Sequence, residues 1–208
     1  MKLLVPGATG GTGLQVVSQA IQRGHSVTAF VRNPSLLNAF SKHLRIMKGD
    51  SLSSAELERA AANQDAVLSG FGPRVPQSKV DSSLMQDFAT ALTKAMRRAG
   101  ARRVVVVSMA FLFKDSLIPP AYLLGRLFFP RIVADAEKME RVIADSGLDW
   151  TIVRPPRLTD KPMTRKYRVR KGHLPRFGFT ISRADTADFL LRAVDDRETV
   201  QKIIGVCN

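Results

Sequence analysis

Gly7, Gly10 and Gly13 stand in the run Gly7-Ala8-Thr9-Gly10-Gly11-Thr12-Gly13, directly behind the apolar Leu3-Leu4-Val5. That spacing suits a phosphate-binding turn between a buried strand and a helix. One glycine makes the tight turn, one lets the backbone approach a pyrophosphate, and one lets the helix pack close to the strand. The N–H groups opening the helix would face the negative charge. Thr9 and Thr12 add hydroxyl donors, and Gly11 completes the set of expected cofactor contacts in the turn. Leu14, Val17, Ala20 and Ile21 follow at amphipathic helical spacing, so strand, turn and helix agree, and the chain is expected to hold a dinucleotide.

Which dinucleotide turns on the residues after the second strand. A site for NAD places an acid about 20 residues beyond the glycines, to accept from the ribose 2′-hydroxyl. Here Val31-Arg32-Asn33-Pro34 offers a guanidinium instead. Arg32 can pair with a 2′-phosphate in a charge-assisted contact worth about 1.5–3 kcal/mol. NADP is the expected cofactor, with NADPH preferred over NADH; a merely solvated Arg32 is the alternative. Asp50 and Ser51, after the third strand, suit contacts around the adenine, although Asp50 serves equally well as a helix cap. Phe71, Gly72, Pro73 and Arg74, after the fourth, are expected over the adenosine or pyrophosphate.

Ser108 ends the fifth strand, where open α/β sheets build their ligand crevice, and its hydroxyl could orient the nicotinamide amide or a water. Satisfying local backbone is its other reading. Met109 is expected beside the cofactor, and Phe111 either stacks on a planar substrate or fills the core. Pro155 and Pro156 fix an extended loop beside the nicotinamide, with Arg157 at the rim. Ser108 and Phe111 are the catalytic candidates, and their work would be placement of the reacting groups in a site sheltered from water.

The elements that must position these residues alternate along the chain. Leu3–Val5, Ser26–Val31, Leu44–Met47, Ala66–Ser69, Val104–Val107 and Thr151–Val153 read as short buried strands, with the first stopped at Val5 by Pro6. Helical patterns cover 11–23, 35–41, 53–62, 80–99, 134–146 and Arg183–Val194. Gly24, Gly100 and Gly147 fall where left-handed caps are wanted. The expected fold is α/β: a doubly wound parallel sheet (Rossmann) forming one domain over 1–208, with 155–182 as a small substrate-side extension. Asp135, Glu137 and Glu140 on one helix, and Asp185 and Asp188 on the last, read as helix charge and capping.

Composition bounds the partners. The 208 residues carry 32 Lys and Arg against 18 Asp and Glu, a formal charge of +14. Residues 161–176 hold Lys161, Arg165, Lys166, Arg168, Arg170, Lys171 and Arg176 and no acid. A solvated basic hairpin, or steering of an anionic substrate, fits this stretch better than nucleic-acid binding, since Tyr167 is the only aromatic among those charges. Cys207 is the only cysteine, and His25, His43 and His173 lack ligand spacing, so neither a disulfide nor a metal site is expected. With no signal-like N-terminus and no membrane-length apolar run, the expected location is cytoplasmic. The apolar, proline-interrupted segment 111–133 suits a lid over a flat substrate, a dimer surface or packing over the sheet. Monomer and homodimer both remain open.

In their order, the glycine turn, Val31-Arg32, Gly49-Asp50, Phe71-Gly72-Pro73-Arg74, Ser108-Met109-Ala110-Phe111-Leu112, Ser146-Gly147-Leu148, Pro155-Pro156 and Ile181-Ser182-Arg183-Ala184-Asp185 are similar to a known group. The chain resembles the NAD(P)-binding proteins of the atypical short-chain dehydrogenase/reductase group, in particular its biliverdin and flavin reductases. The resemblance implies an NADPH-dependent reductase that passes hydride to a flavin, bilin or similar planar acceptor. The Tyr-x-x-x-Lys pair of typical short-chain dehydrogenases is read as missing, Tyr122 with Arg126 in the apolar segment being taken as the nearest match. Without a lysine-lowered tyrosine to protonate a carbonyl oxygen, the favoured acceptor takes hydride at a conjugated centre and its proton from water. Met109 and Arg157 also replace residues usual in these reductases. The alternative is a non-catalytic NADP-binding redox sensor or assembly factor, as in related NmrA-like proteins.

Overall fold

The computed structural model describes residues 1–40, 43–72, 83–113 and 127–208, the side chains of 38–40 excepted. Strands β1 (Lys2–Pro6), β2 (Ser26–Val31), β3 (Leu44–Lys48), β4 (Ala66–Ser69), β5 (Arg103–Val107) and β6 (Asp149–Arg154) are joined by helices α1 (Gly11–Gln22), α2 (Ser54–Ala61), α3 (Leu84–Ala99) and α4 (Pro130–Ala144). The remainder comprises β7 (Arg157–Thr159), β8 (Arg168–Lys171), β9 (Thr180–Ser182), α5 (Arg183–Asp195) and β10 (Lys202–Cys207). The main sheet has eight strands in the order β3-β2-β1-β4-β5-β6-β10-β8. Its neighbours run parallel except β10 and β8, and β7 pairs with β9 in a separate two-stranded sheet. Strand order reverses between β1 and β4, which puts the ligand crevice of such a sheet beyond their carboxyl ends.

The expected doubly wound parallel sheet is present, with a core on each face. Side chains alternate across a strand, so Leu3 and Val5 pack with Val16, Val17 and Ala20 of α1 and Ala187, Leu190 and Leu191 of α5. Leu4 points the other way, among Leu57 of α2, Phe88 and Leu92 of α3, and Met139 and Ile143 of α4. Full burial of each such leucine is worth about 1.5–3 kcal/mol. Gly24, Gly100 and Gly147 adopt positive φ at the expected caps.

Several local expectations need correction. β1 continues through Pro6, which pairs in register with Phe30. Gly7 N–H donates to Phe30 O at 3.1 Å, and successive N–H groups point to opposite edges, so the donor that proline lacks would face β4. The β1–β4 ladder involves only Leu3 and Leu4 on the β1 side, and nothing is lost. α4 opens at Pro130 rather than 134 because Pro130 occupies its first turn, where the fixed φ suits a helix and no N–H is needed. The run Lys202–Cys207, outside the six expected strands, forms β10 beside β6.

The acids read as helix decoration hold the layers together. Asp135 of α4 accepts from Met85 N at 2.9 Å and Gln86 N at 3.0 Å, capping α3 from outside. Asp188 accepts from Arg23 Nη2 at 2.5 Å and from the Tyr167 hydroxyl at 2.5 Å, tying α1 and the basic stretch to α5. The cap of α5 itself is Ser182, which accepts from Asp185 N at 2.9 Å.

Asp185 is fully buried. It accepts from Thr164 N at 2.8 Å, Arg165 N at 2.7 Å, Thr164 Oγ1 at 2.9 Å and Asn208 Nδ2 at 3.2 Å. Burial works to raise its pKa, but these bonds to the charged form outweigh it and hold the carboxyl below its ordinary value. A depressed carboxyl adds stability above its unfolded value of about 3.9 and loses it as pH falls through the native value. Asp185→Asn is therefore expected to cost about 2 kcal/mol at neutral pH. In urea melts the gap to the parent chain should narrow as pH falls from about 5 through the unfolded value of about 3.9 and below; a gap that stays constant contradicts this assignment.

Candidate functional site

The glycine turn leaves β1 at the sheet's reversal point. Gly7 takes φ +70°, a left-handed conformation that disfavours any side chain, and Phe71 after β4 lies against it, 3.5 Å from where a Cβ would sit. Gly10 N–H donates to Gly7 O at 2.9 Å, closing the turn, and Leu14 N–H donates to Gly10 O at 2.8 Å, starting the helix. At Gly13 a Cβ would meet Gly7 O at 2.4 Å and Ala8 Cα at 2.9 Å, so α1 approaches the strand as only glycine allows. No side chain caps α1 and its first turn contains no acid. Its N-terminal N–H groups and positive dipole end are left for an anion.

The other candidate residues follow the strand order along the same edge of the sheet. Gly49 N–H donates to Val31 O at 3.0 Å, which sets Asp50 next to Arg32 beyond β3 and β2, and both are exposed. Asp50 does not cap α2. Its Oδ1 accepts from Leu52 N at 3.0 Å in a local turn, while Ser53 is the N-cap. Ser51 is buried beside it. Beyond β4, Phe71 stacks on Phe88, with ring centroids 4.2 Å apart and planes at 21°, and Gly72 is exposed. Pro73, Arg74 and the greater part of 111–133, Tyr122 and Arg126 included, lie outside the described residues.

Beyond β5 and β6 the loops are bonded to each other. Ser108 N–H donates to Val153 O at 2.7 Å and Ala110 N–H to Pro155 O at 2.9 Å. Pro155 is buried, and Pro156 is half-buried before the exposed Arg157. Ser108 Oγ is buried and has no hydrogen-bond partner among the described residues, so the reading of Ser108 as a serine satisfying its own backbone does not hold. Met109 packs toward the α3 side of the sheet. Phe111 sits half-buried in a single 3₁₀ turn, Ala110–Leu112.

Sequence reasoning overlooked what anchors this end. Arg154 donates through Nε to Glu140 Oε1 at 2.9 Å and through Nη2 to Oε2 at 2.5 Å, a two-pronged ion pair largely removed from solvent. Its guanidinium also lies 4.6 Å from the centroid of the Phe113 ring. No spacing rule links positions 140 and 154, because the pair forms only when α4 packs on β6.

The expectation that a Tyr-x-x-x-Lys spacing is missing needs correction, because Tyr167 and Lys171 have it. The structure separates the two. Tyr167 donates to Asp188, and Lys171 pairs with Glu198 at 3.0 Å. Burial and then the Asp188 carboxylate push the Tyr167 hydroxyl pKa up, the opposite of what a proton donor lowered by lysine needs.

The residues present fit a dinucleotide: an uncapped helix N-terminus behind a glycine turn, a guanidinium beyond the neighbouring strand β2, and, at the far end of the crevice, a buried hydroxyl with no partner among the described residues. A family model described as NAD(P)H-binding matches residues 7–197. An uncharacterised chloroplastic protein of Arabidopsis thaliana is 29% identical over 99% of this chain and 76% of its own length. The 3-diazoavenalumate denitrifying reductase of a Streptomyces species is 30% identical over 74% of this chain, and the match covers 55% of that reductase. A putative exported protein from Burkholderia pseudomallei has the same fold, with a TM-score of 0.82, 27% identity and 100% of both chains covered. Among the described residues, no helix is long and apolar enough to cross a membrane.

Proposed function

Because the chain belongs to the NAD(P)H-binding family, we propose that it is an NADPH-dependent reductase of a planar conjugated acceptor of the flavin, bilin or quinone type. The observation that carries the reading is the Ser108 hydroxyl, buried without a partner among the described residues at one end of a row of loops whose other members suit an adenosine and a diphosphate. Gly7 to Gly13 and the α1 N-terminus would hold the pyrophosphate. Arg32 would take the 2′-phosphate, Asp50, Ser51, Phe71 and Gly72 would border the adenosine half, and Ser108, Met109, Pro155 and Pro156 the nicotinamide. When bound, NADPH supplies a hydride. Ser108 would orient the carboxamide, and Phe111 would offer a flat face to the acceptor. The Arg154–Glu140 pair keeps Pro155 in place, and residues 155–182 would form the acceptor-side wall. With Tyr167 held elsewhere, no side chain described here is poised to protonate a carbonyl, which favours acceptors that draw their proton from water. The Streptomyces relative, itself a reductase, supports the enzyme reading.

Two measurements test it. Purified protein should consume NADPH with FMN, biliverdin or a quinone; saturable NADPH binding without turnover on any of them would leave the non-catalytic sensor in its place. Arg32→Gln should weaken NADP⁺ binding about ten- to a hundredfold and leave NAD⁺ binding nearly unchanged. Equal loss for the two nucleotides contradicts the role given to Arg32.

A further inference from the structure

α1 and α5 both begin at the carboxyl edge of the sheet and share one core on the same face, so their N-termini are neighbours. Arg183, the first residue of α5, runs its side chain across the first turn of α1. A Cβ built on Gly11 would lie 2.7 Å from Arg183 Cδ and 2.8 Å from Nε. The guanidinium is held by Asp160, whose Oδ1 accepts from Nη1 at 2.6 Å. The Asp160 side chain is 88% exposed and that of Arg183 only 30%, so water screens the acid far more than the cation it steadies.

A cation at the positive end of a helix is electrostatically misplaced; the first turn ordinarily favours an acid. Here an arginine lies over an N-terminus that has neither acid nor cap. The arrangement becomes favourable once an anion sits between the guanidinium and the N–H groups, because both then act on it.

We propose that Arg183 binds the pyrophosphate of the cofactor, closing the glycine turn from the α5 side, with Asp160 orienting its guanidinium. The proposal rests on the NADPH reading of the site. It gives Gly11 a role of its own, since the missing Cβ is what lets Arg183 lie along the α1 backbone. It also separates two arginines by what they recognise: Arg32 faces the phosphate that NADP alone carries, whereas Arg183 faces the diphosphate common to both nucleotides.

The test is calorimetric titration of NADP⁺ and of NAD⁺ into the parent chain, Arg183→Gln, Gly11→Ala and the double variant, each checked for folding by thermal melting. Arg183→Gln should weaken both nucleotides by the same factor, about tenfold or more. Gly11→Ala should do likewise by pushing the side chain aside, and the double variant should lose no more than Arg183→Gln alone, because both changes remove one contact. Should Arg183→Gln fail to fold, Gly11→Ala carries the same prediction. Unchanged affinities, or a loss confined to NADP⁺, overturn the role of Arg183 while leaving the site reading intact. A parent chain that binds neither nucleotide overturns both.

Discussion

Gly13→Ala should abolish nucleotide binding and lower the melting temperature by about 10 °C. The added methyl would come within 2.4 Å of Gly7 O and 2.9 Å of Ala8 Cα. Both are backbone atoms of the turn, so no side chain can swing away and α1 must retreat from β1. Overpacking of this kind costs about 3 kcal/mol, and a chain of this size loses about 2–4 °C per kcal/mol. The retreat also moves the N–H groups that face the diphosphate, which is why binding should suffer more than folding. Gly72→Ala is the control: a Cβ there meets nothing within 4 Å among the described residues, and stability should hardly change. An alanine at 13 that melts and binds like the parent chain would show that the turn does not do the work assigned to it.

Glu140→Ala should destabilise the fold at least as much by a different route. It leaves the Arg154 guanidinium, whose side chain is 12% exposed, without its carboxylate, and an unpaired charge of that kind costs about 3–5 kcal/mol. Replacing both partners, as Arg154→Met with Glu140→Leu, removes the charge with its need and should recover the larger part of the stability. Activity should not recover with it. Arg154 precedes Pro155, whose carbonyl accepts from Ala110 N, and it stacks on Phe113, so the ion pair fixes the loops around Ser108. Turnover of NADPH in the double variant should stay below that of the parent chain while the melting temperature returns. Full recovery of both would reduce the pair to packing.

These two sites differ in how far the sequence reveals them. The glycine turn is local: spacing, the preceding apolar strand and the following helical period all lie within the first two dozen positions, and each constrains the same few dihedrals. The continuous apolar run Leu3-Leu4-Val5 likewise announces a strand buried on both faces. Arg154 with Glu140, Asp135 over α3, Asp185 under the basic stretch and Arg183 over Gly11 depend instead on which helix packs against which strand. Nothing in the types or spacing of those residues encodes such a meeting. Pro6 misled because a lost donor matters only on the edge where a ladder needs it. The run Ile203-Ile204-Gly205-Val206 carried a legible apolar signal for β10, whereas β8, with the exposed sequence Arg168-Val169-Arg170-Lys171, takes its strand form from pairing with β10.

The central claim is that NADP(H) occupies the crevice opened by the glycine turn, with Arg32 reading its 2′-phosphate. Calorimetric titration of NADPH and NADH into the unaltered protein tests it most directly. The account predicts saturable binding of NADPH with NADH weaker by about tenfold or more. Heat from neither nucleotide at millimolar concentration, or tighter binding of NADH, would contradict it.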